Sequence, residues 1–172
     1  CGIAGIISVN QQLVSTERLK AMADAIAHRG PDGEGFWINE NKTAGLGHRR
    51  LAIIDLSEAA AQPMHLTPNP SPVGEGRNPR YTITYNGEIY NYLELKKELK
   101  KSGYHFNSSS DSEVILAAYD LYKENCLQYF DGMFAFAIWD EKEQTLFAAR
   151  EKKKKKPFYY YYEKDLFAFA SE

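Results

Sequence analysis

Apolar positions along this chain follow two different periods. Residues 2–8 (Gly-Ile-Ala-Gly-Ile-Ile-Ser) form a short, nearly unbroken apolar run, which predicts a buried strand. Behind Ser15 or Thr16 the period changes. Leu19, Met22, Ala23 and Ile26 recur at helical spacing, and Gly30-Pro31 ends that helix. Gly35–Ile38 and Ala44–His48 read as strands joined by a turn at Asn39–Lys42, and Arg49-Arg50 head a further apolar strand through Leu56. Tyr81–Tyr85 alternate as a strand that turns at Asn86-Gly87. Asn91 with Glu94 predicts a capped helix through Lys101, ended by Gly103. Ser110-Asp111-Ser112-Glu113 opens another helix, carrying Val114, Ile115, Ala118, Leu121 and Tyr122. The remainder reads as strand: Phe134–Trp139, Thr145–Arg150, Phe158–Tyr162 and Leu166–Ala170, with hairpin turns at Asp140–Gln144 and Glu163–Asp165. These last strands are apolar at nearly every position, which predicts cover on both faces. No internal repeat or domain boundary interrupts the pattern.

Two stretches break it. Residues 63–80 hold Pro63, Pro68, Pro70, Pro72 and Pro79 with Gly74 and Gly76 between, which excludes helix and central strand and favours a disordered insertion over a functional lid. Lys152–Lys156 are five adjacent like charges, which repel within a Debye length of ~8 Å. Such a run reads either as a nucleic-acid or anionic-lipid patch or as an altered turn between two strands, and we favour the turn.

Composition narrows the partners. A formal net charge of -2 and a pI near 6.1 leave no global basic field for nucleic acid or an anionic membrane. No apolar run approaches the ~18 residues of a membrane span, and no signal peptide precedes Cys1. Two distant cysteines make no disulfide framework, so a reducing cytoplasm is expected. Cys126 reads as a small buried residue, and no Cys/His spacing suggests a metal site.

The chemistry begins at Cys1. A first-position cysteine carries a nucleophilic thiol and an α-amine of pKa ~7.7–8.0 on one residue, so nucleophile and base arrive together. A thiolate attacking an amide also needs an oxyanion donor and a grip on the substrate's charged end. Asn86-Gly87 can supply a side-chain amide and a backbone N–H, or can be a plain type I′ turn. Arg50 can pair bidentately with a carboxylate, or be a solvated strand-end charge. Glu88 and Asp111 can hold an ammonium; otherwise Glu88 is a surface carboxylate and Asp111 a helix N-cap.

Six segments occur in order: Cys1-Gly2-Ile3-Ala4-Gly5, His28-Arg29-Gly30-Pro31-Asp32, Gly47–Asp55, Asn86-Gly87-Glu88-Ile89-Tyr90-Asn91, Ser110–Glu113 and Asp131–Phe136. Together they resemble the N-terminal glutaminase domain of glutamine-hydrolysing asparagine synthetases, which are class II glutamine amidotransferases. The resemblance covers residues 1–172 apart from the Pro-rich stretch and the lysine run. It implies an α+β, N-terminal-nucleophile hydrolase fold, with two antiparallel sheets sandwiched between helical layers. It implies that Cys1 is the nucleophile and its amine the base, and that Asn86 and Gly87 form the oxyanion hole. Arg50 would bind the glutamine α-carboxylate, with the backbone of Leu51, Ile53 and Ile54 lining the same pocket. Glu88 and Asp111 would bind the α-ammonium, and Arg29 would support the Cys1 loop. Family members continue into a C-terminal synthetase domain that uses ATP and Mg; it is absent from these residues, and the glutaminase domain itself needs no cofactor. The family pattern also has a glycine among the residues between Ala149-Arg150 and Lys156-Pro157, where this chain has lysine.

The leading expectation is hydrolysis of L-glutamine to L-glutamate and ammonia through a γ-glutamyl thioester, with ammonia passed to the synthetase domain. Alternatives are an amidotransferase feeding a sugar or other acceptor, a non-catalytic amino-acid-binding domain, and a papain-like arrangement with His28 or His48 as base. The lysine run holds none of the expected site residues, so it is expected to leave the glutamine pocket intact.

Overall fold

The computed structural model describes residues 1–51, 60–67 and 79–172. In chain order these form β1 (Gly2–Ser8), α1 (Thr16–Ala25), β2 (Gly33–Ile38), β3 (Ala44–Arg50), β4 (Met64–Leu66), β5 (Tyr81–Ile89), α2 (Tyr92–Lys101), α3 (Asp111–Tyr122), β6 (Gly132–Asp140), β7 (Thr145–Arg150), β8 (Tyr159–Glu163) and β9 (Leu166–Ala170). Two sheets result, ordered β2-β3-β1-β9-β8 and β4-β5-β6-β7, with every neighbouring pair antiparallel.

Side-chain alternation sorts the strands into faces. Between the sheets lie Ile3, Leu46, Ala135, Ala137, Trp139 and Phe169. On the outer face of the second sheet, Tyr81, Ile83, Tyr85, Phe136 and Ile138 pack against Leu99 of α2 and Val114, Ile115 and Ala118 of α3. On the outer face of the first sheet, α1 lays Leu19, Ala23 and Ile26 over positions without side chains. A Cβ at Gly2 would lie 2.9 Å from Ile26 Cδ1, and one at Gly47 3.4 Å from Leu19 Cδ1. The expected helix–sheet–sheet–helix layering is therefore present, because each sheet buries one face on the other and one on helix.

Two buried hydrogen bonds tie the sheets. Thr84 Oγ1 donates to the Gly47 carbonyl at 2.9 Å, and His48 Nε2 lies 3.1 Å from the Tyr85 carbonyl, to which it donates. Both strands advance one residue between these bonds, so β3 and β5 reach the same end of the sandwich together.

Several local expectations are corrected. Asn86-Gly87 is not a turn: β5 runs through it, with Asn86 opposite Ala135 and Gly87 opposite Phe134. Gly87 is there for close approach, since a Cβ would lie 2.3 Å from the Met133 carbonyl oxygen. Arg49 and Arg50 end β3 instead of heading a new strand, and the rest of that segment, 52–59, lies outside the described residues. The Pro-rich stretch contains the edge strand β4, paired to β5 at Met64–Leu66, where an unpaired outer side tolerates neighbouring proline; 68–78 lie outside the described residues. Asn91 precedes α2 without capping it. Its side chain instead donates to the Tyr129 carbonyl at 2.9 Å and accepts from Asp131 N at 3.0 Å. At α3 the cap is Ser110, whose Oγ accepts from Ser112 N at 3.1 Å, which leaves the Asp111 carboxylate for other partners. Finally, β8 is not doubly covered. It is an edge strand, and Tyr159–Tyr162 are 54–70% exposed.

Candidate active site

Alternation sets which residues meet at that shared end. Gly2 faces α1 and Ile3 faces the other sheet, so Cys1 falls on the inter-sheet side. Leu46 and His48 face inward on β3, and Arg50 follows them. Thr84 faces inward on β5, and Asn86 and Glu88 follow it. Gly2 pairs with Arg49, which puts Cys1 level with Arg50, and the two cross-sheet bonds bring Asn86–Glu88 to the same end.

The Cys1 sulfur rests against Leu51. The Leu51 N–H donates to Sγ at 3.3 Å, and the thiol reaches back to the Leu51 carbonyl at 3.6 Å. Ile53 and Ile54 lie outside the described residues. The 28–33 loop closes over the strand ends, with Asp32 N donating to the Arg50 carbonyl at 2.9 Å. Arg29 reaches both chain ends: Nε donates to the Cys1 carbonyl at 3.3 Å, and Nη1 pairs with Glu172 at 2.7 Å. Ser171 holds the other side, accepting from Ile3 N on its Oγ at 3.0 Å and donating its own N–H to the Ile3 carbonyl at 2.9 Å.

Electrostatics separates the candidate bases. Partial burial, with Lys156 and Arg29 nearby and Asp32 opposing, lowers the Cys1 α-amine to about 6. At pH 7 it is therefore mostly neutral and free to accept a proton. Burial, then the amine's charge, lowers His48 to about 3, and its Nε2–H is already committed to Tyr85. His48 is a neutral structural residue. His28 is exposed and turned to Glu172 at 3.1 Å. Among the described residues neither imidazole bonds to the thiol. Cys126 is fully buried, and desolvation pushes its thiol up to about 12, so it is inert.

The strand supplies unspent donors. Asn86 is 2% exposed, yet its Nδ2 has no hydrogen-bond partner among the described residues. A buried donor left so costs about 1–3 kcal/mol. Backbone polarity alternates as well. Tyr85 N is bound by Gln62 Oε1 at 2.6 Å and Ile89 N by Asp111 Oδ2 at 2.9 Å, both on the side away from β6. Gly87 lies between them, so its N–H points to that same side, beside the Asn86 amide.

Asp111 closes the far wall. Its Oδ2 accepts from Ile89 N and from the Tyr85 hydroxyl at 2.7 Å. Burial raises its pKa, and the nearby charge of Glu88 adds to the rise. Two carboxyl groups near one another with this penalty form a site that a cation would relieve. Arg50 is half-buried and has partners of its own at the strand end.

Sequence reasoning missed three participants. Tyr85 holds Asp111, and its outward position in an alternating strand was a usable signal. The buried carboxyl of Glu151 and the approach of Lys156 to the Cys1 amine carry no pattern of their own. The expectation that the lysine run lies apart from the site is to that extent corrected.

Comparison with known proteins agrees with the geometry. The glutamine amidotransferase domain family matches residues 1–172. Asparagine synthetase [glutamine-hydrolyzing] 3 of Bacillus subtilis is 41% identical over 173 residues, covering 100% of this chain and 26% of that protein. A putative asparagine synthetase [glutamine-hydrolyzing] 2 of Methanocaldococcus jannaschii is 43% identical over 178 residues, covering 100% of this chain and 34% of its own length. The chain thus spans about a quarter to a third of these relatives. Among solved structures, glutamine phosphoribosylpyrophosphate amidotransferase from B. subtilis superposes over 100% of this chain and 42% of its own, with a TM-score of 0.76 at 21% identity, a likeness of fold alone. With an N-terminal-nucleophile fold and a family match along its whole length, the chain belongs to the glutamine amidotransferase domain family.

Proposed function

We propose that this domain hydrolyses L-glutamine to L-glutamate and ammonia through a γ-glutamyl thioester on Cys1. The thiol proton passes to the neutral α-amine, and sulfur attacks the γ-carboxamide carbon. The developing oxyanion takes hydrogen bonds from Asn86 Nδ2 and the Gly87 N–H. The amine then returns its proton to the leaving nitrogen, the C–N bond breaks and ammonia departs. Water attacks the thioester carbon, giving up a proton as the C–S bond breaks, and the thiol is restored. Arg50 binds the substrate α-carboxylate and Glu88 with Asp111 the α-ammonium, so that binding at the charged end places the amide at sulfur. No metal or cofactor enters these steps. By analogy with the named relatives, ammonia would pass to an ATP- and Mg-dependent asparagine-synthetase-type domain.

The observation that carries this reading is an α-amine lowered to about 6 by partial burial, on the same residue as the thiol, at the end of the sandwich where the buried Asn86 amide has no acceptor among the described residues. The test is glutamate release from glutamine by the domain without ATP or Mg²⁺. Activity is expected with Cys1 first. It is expected to vanish in Cys1→Ala and when a residue precedes Cys1, with the circular dichroism of the folded chain retained. An extended chain that hydrolyses glutamine at the normal rate would overturn the amine mechanism in favour of the papain-like arrangement.

A further inference from the structure

The edge of β5 that faces away from β6 changes partners along its length. β4 pairs with it at Met64↔Ile83 and Leu66↔Tyr81 and then stops. In that register the next positions would set Gln62 opposite Tyr85 and Ala60 opposite Gly87. A ladder carried on so far would put the Ala60 carbonyl on the Gly87 N–H. The ladder does not continue. The Gln62 backbone lies instead against β2, where a Cβ at Gly35 would be 2.0 Å from the Gln62 carbonyl oxygen. Gly35 pairs with the inward-facing His48, and only glycine there admits this approach.

Side chains replace the ladder bonds that Tyr85 would otherwise make. Gln62 Oε1 accepts from Tyr85 N at 2.6 Å, and His48 Nε2 donates to the Tyr85 carbonyl at 3.1 Å. Gln62 is itself anchored, because its Nε2 donates at 3.3 Å to Oγ of the buried Ser112, next to Asp111. That second bond fixes which end of the amide faces β5. Farther along the edge, Asp111 Oδ2 accepts from Ile89 N at 2.9 Å. The edge donors at Tyr85 and Ile89 are thus both held by side chains, with Gly87 between them. A paired strand would occupy the whole row of donors, whereas a side chain occupies one.

We propose that Gln62 is a positioning residue of the glutaminase site: its side chain ends the β4–β5 ladder at Tyr85 and so holds Asn86 and Gly87 in place with the Gly87 N–H open to the substrate oxyanion. Its effect runs through the Tyr85 peptide, which leads directly into Asn86. Oxyanion donors act only at ~2.7–3.1 Å from the charge they meet, so a small shift of this strand is costly. Asp111 is held separately, by Ile89 N and the Tyr85 hydroxyl, so the grip on the ammonium outlasts the loss of Gln62.

This inference rests on Asn86 and Gly87 being the oxyanion donors of a glutaminase, and two readouts keep the claims apart. Amide hydrogen exchange is followed by NMR, and kcat and KM for glutamine are measured separately from glutamate release. Gln62→Met keeps the length of the side chain and removes both of its bonds. It should speed exchange at Tyr85 N at least about 10-fold and leave Ile83, paired with Met64, as in wild type. It should lower kcat about 10–100-fold and keep KM within about 3-fold. Ser112→Ala removes only the anchor; it should show the same pattern at smaller size, and it carries the test if Gln62→Met does not fold. In an Asn86→Ala background Gln62→Met should cost at least about 5-fold less than in wild type, since both act on one oxyanion. Gln128→Met, at an exposed glutamine bonded to Asn125, should change neither constant. Unchanged kcat in Gln62→Met, a rise in KM alone, or losses that multiply in the double variant would overturn the proposal. A wild-type chain that releases no glutamate removes the glutaminase reading, and Tyr85 exchange then decides alone: exchange unaltered in Gln62→Met overturns the hold on β5 as well.

Discussion

Lys154→Gly should stabilise the protein. Lys154 has φ of 55°, in the left-handed region, where its N–H donates to the Glu151 carbonyl at 3.1 Å to close the turn. A β-carbon there costs roughly 1–2 kcal/mol against the following carbonyl. Glycine removes that cost but adds unfolded-state entropy of roughly 0.5–1 kcal/mol. The net gain is about 0.5–1 kcal/mol, which for a chain of this length corresponds to a rise in Tm of roughly 1–4 °C. Charge is the competing explanation, because the substitution also removes one of five adjacent lysines. Lys154→Ala and Lys154→Asn separate the two. Alanine removes the charge and keeps the β-carbon, so it should leave Tm near wild type. Asparagine, which tolerates this backbone, should fall between alanine and glycine. The assay is thermal and urea unfolding of the four proteins, with KM for glutamine expected to be constant throughout. Alanine stabilising as much as glycine would show that repulsion, not backbone strain, is the cost in this turn.

Two further outcomes follow from the site. Asn86→Ala should lower kcat about 10²–10³-fold with little loss of stability, because its Nδ2 has no hydrogen-bond partner among the described residues; a large stability loss with normal kcat would assign it a structural role. Asp111→Asn should raise KM for glutamine at least about 30-fold, since leaving a buried charge unpaired costs ~2–5 kcal/mol. KM of the wild type should also climb as pH falls through the raised Asp111 pKa, where the protonated carboxyl no longer holds an ammonium. The sign for folding is opposite to the usual carboxylate: its contribution to stability is present below the unfolded pKa and is lost as pH rises through the raised folded value. A KM flat across the acid range would remove Asp111 from the clamp.

The element sequence was legible because its signals are local. Ser15 caps α1 and Ser110 caps α3 through bonds within three residues, and the late hairpins follow directly from short turns between apolar runs. What misled was chemistry with two uses. Asn-Gly serves a hairpin turn and also a strand pressed against a neighbour; only the Met133 carbonyl, on another strand, decides between them. A tetrad of tyrosines is as apolar as a buried strand, and only its place at the sheet edge exposes it. Within the candidate site, Cys1, Asn86 and Asp111 were read from their own chemistry and Arg29 from the family resemblance. The charge of Lys156 near the Cys1 amine was not, because it joins the two ends of the chain and no spacing encodes that approach.

The placement of β1 between β3 and β9 bears on how this enzyme is made. Ala4 pairs with Gly47 on one side and with Ala170 on the other. The strand behind Cys1 is therefore half-completed early and finished only once β9 has been synthesised. At about 5–20 residues per second, translation leaves that edge of β1 open for on the order of ten seconds or longer. Closing so long a loop is slow, and an unpaired apolar edge is exposed to other nascent chains in the meantime. A nascent chain that lacks β9 would thus hold the Cys1 thiol on a strand paired along one side alone.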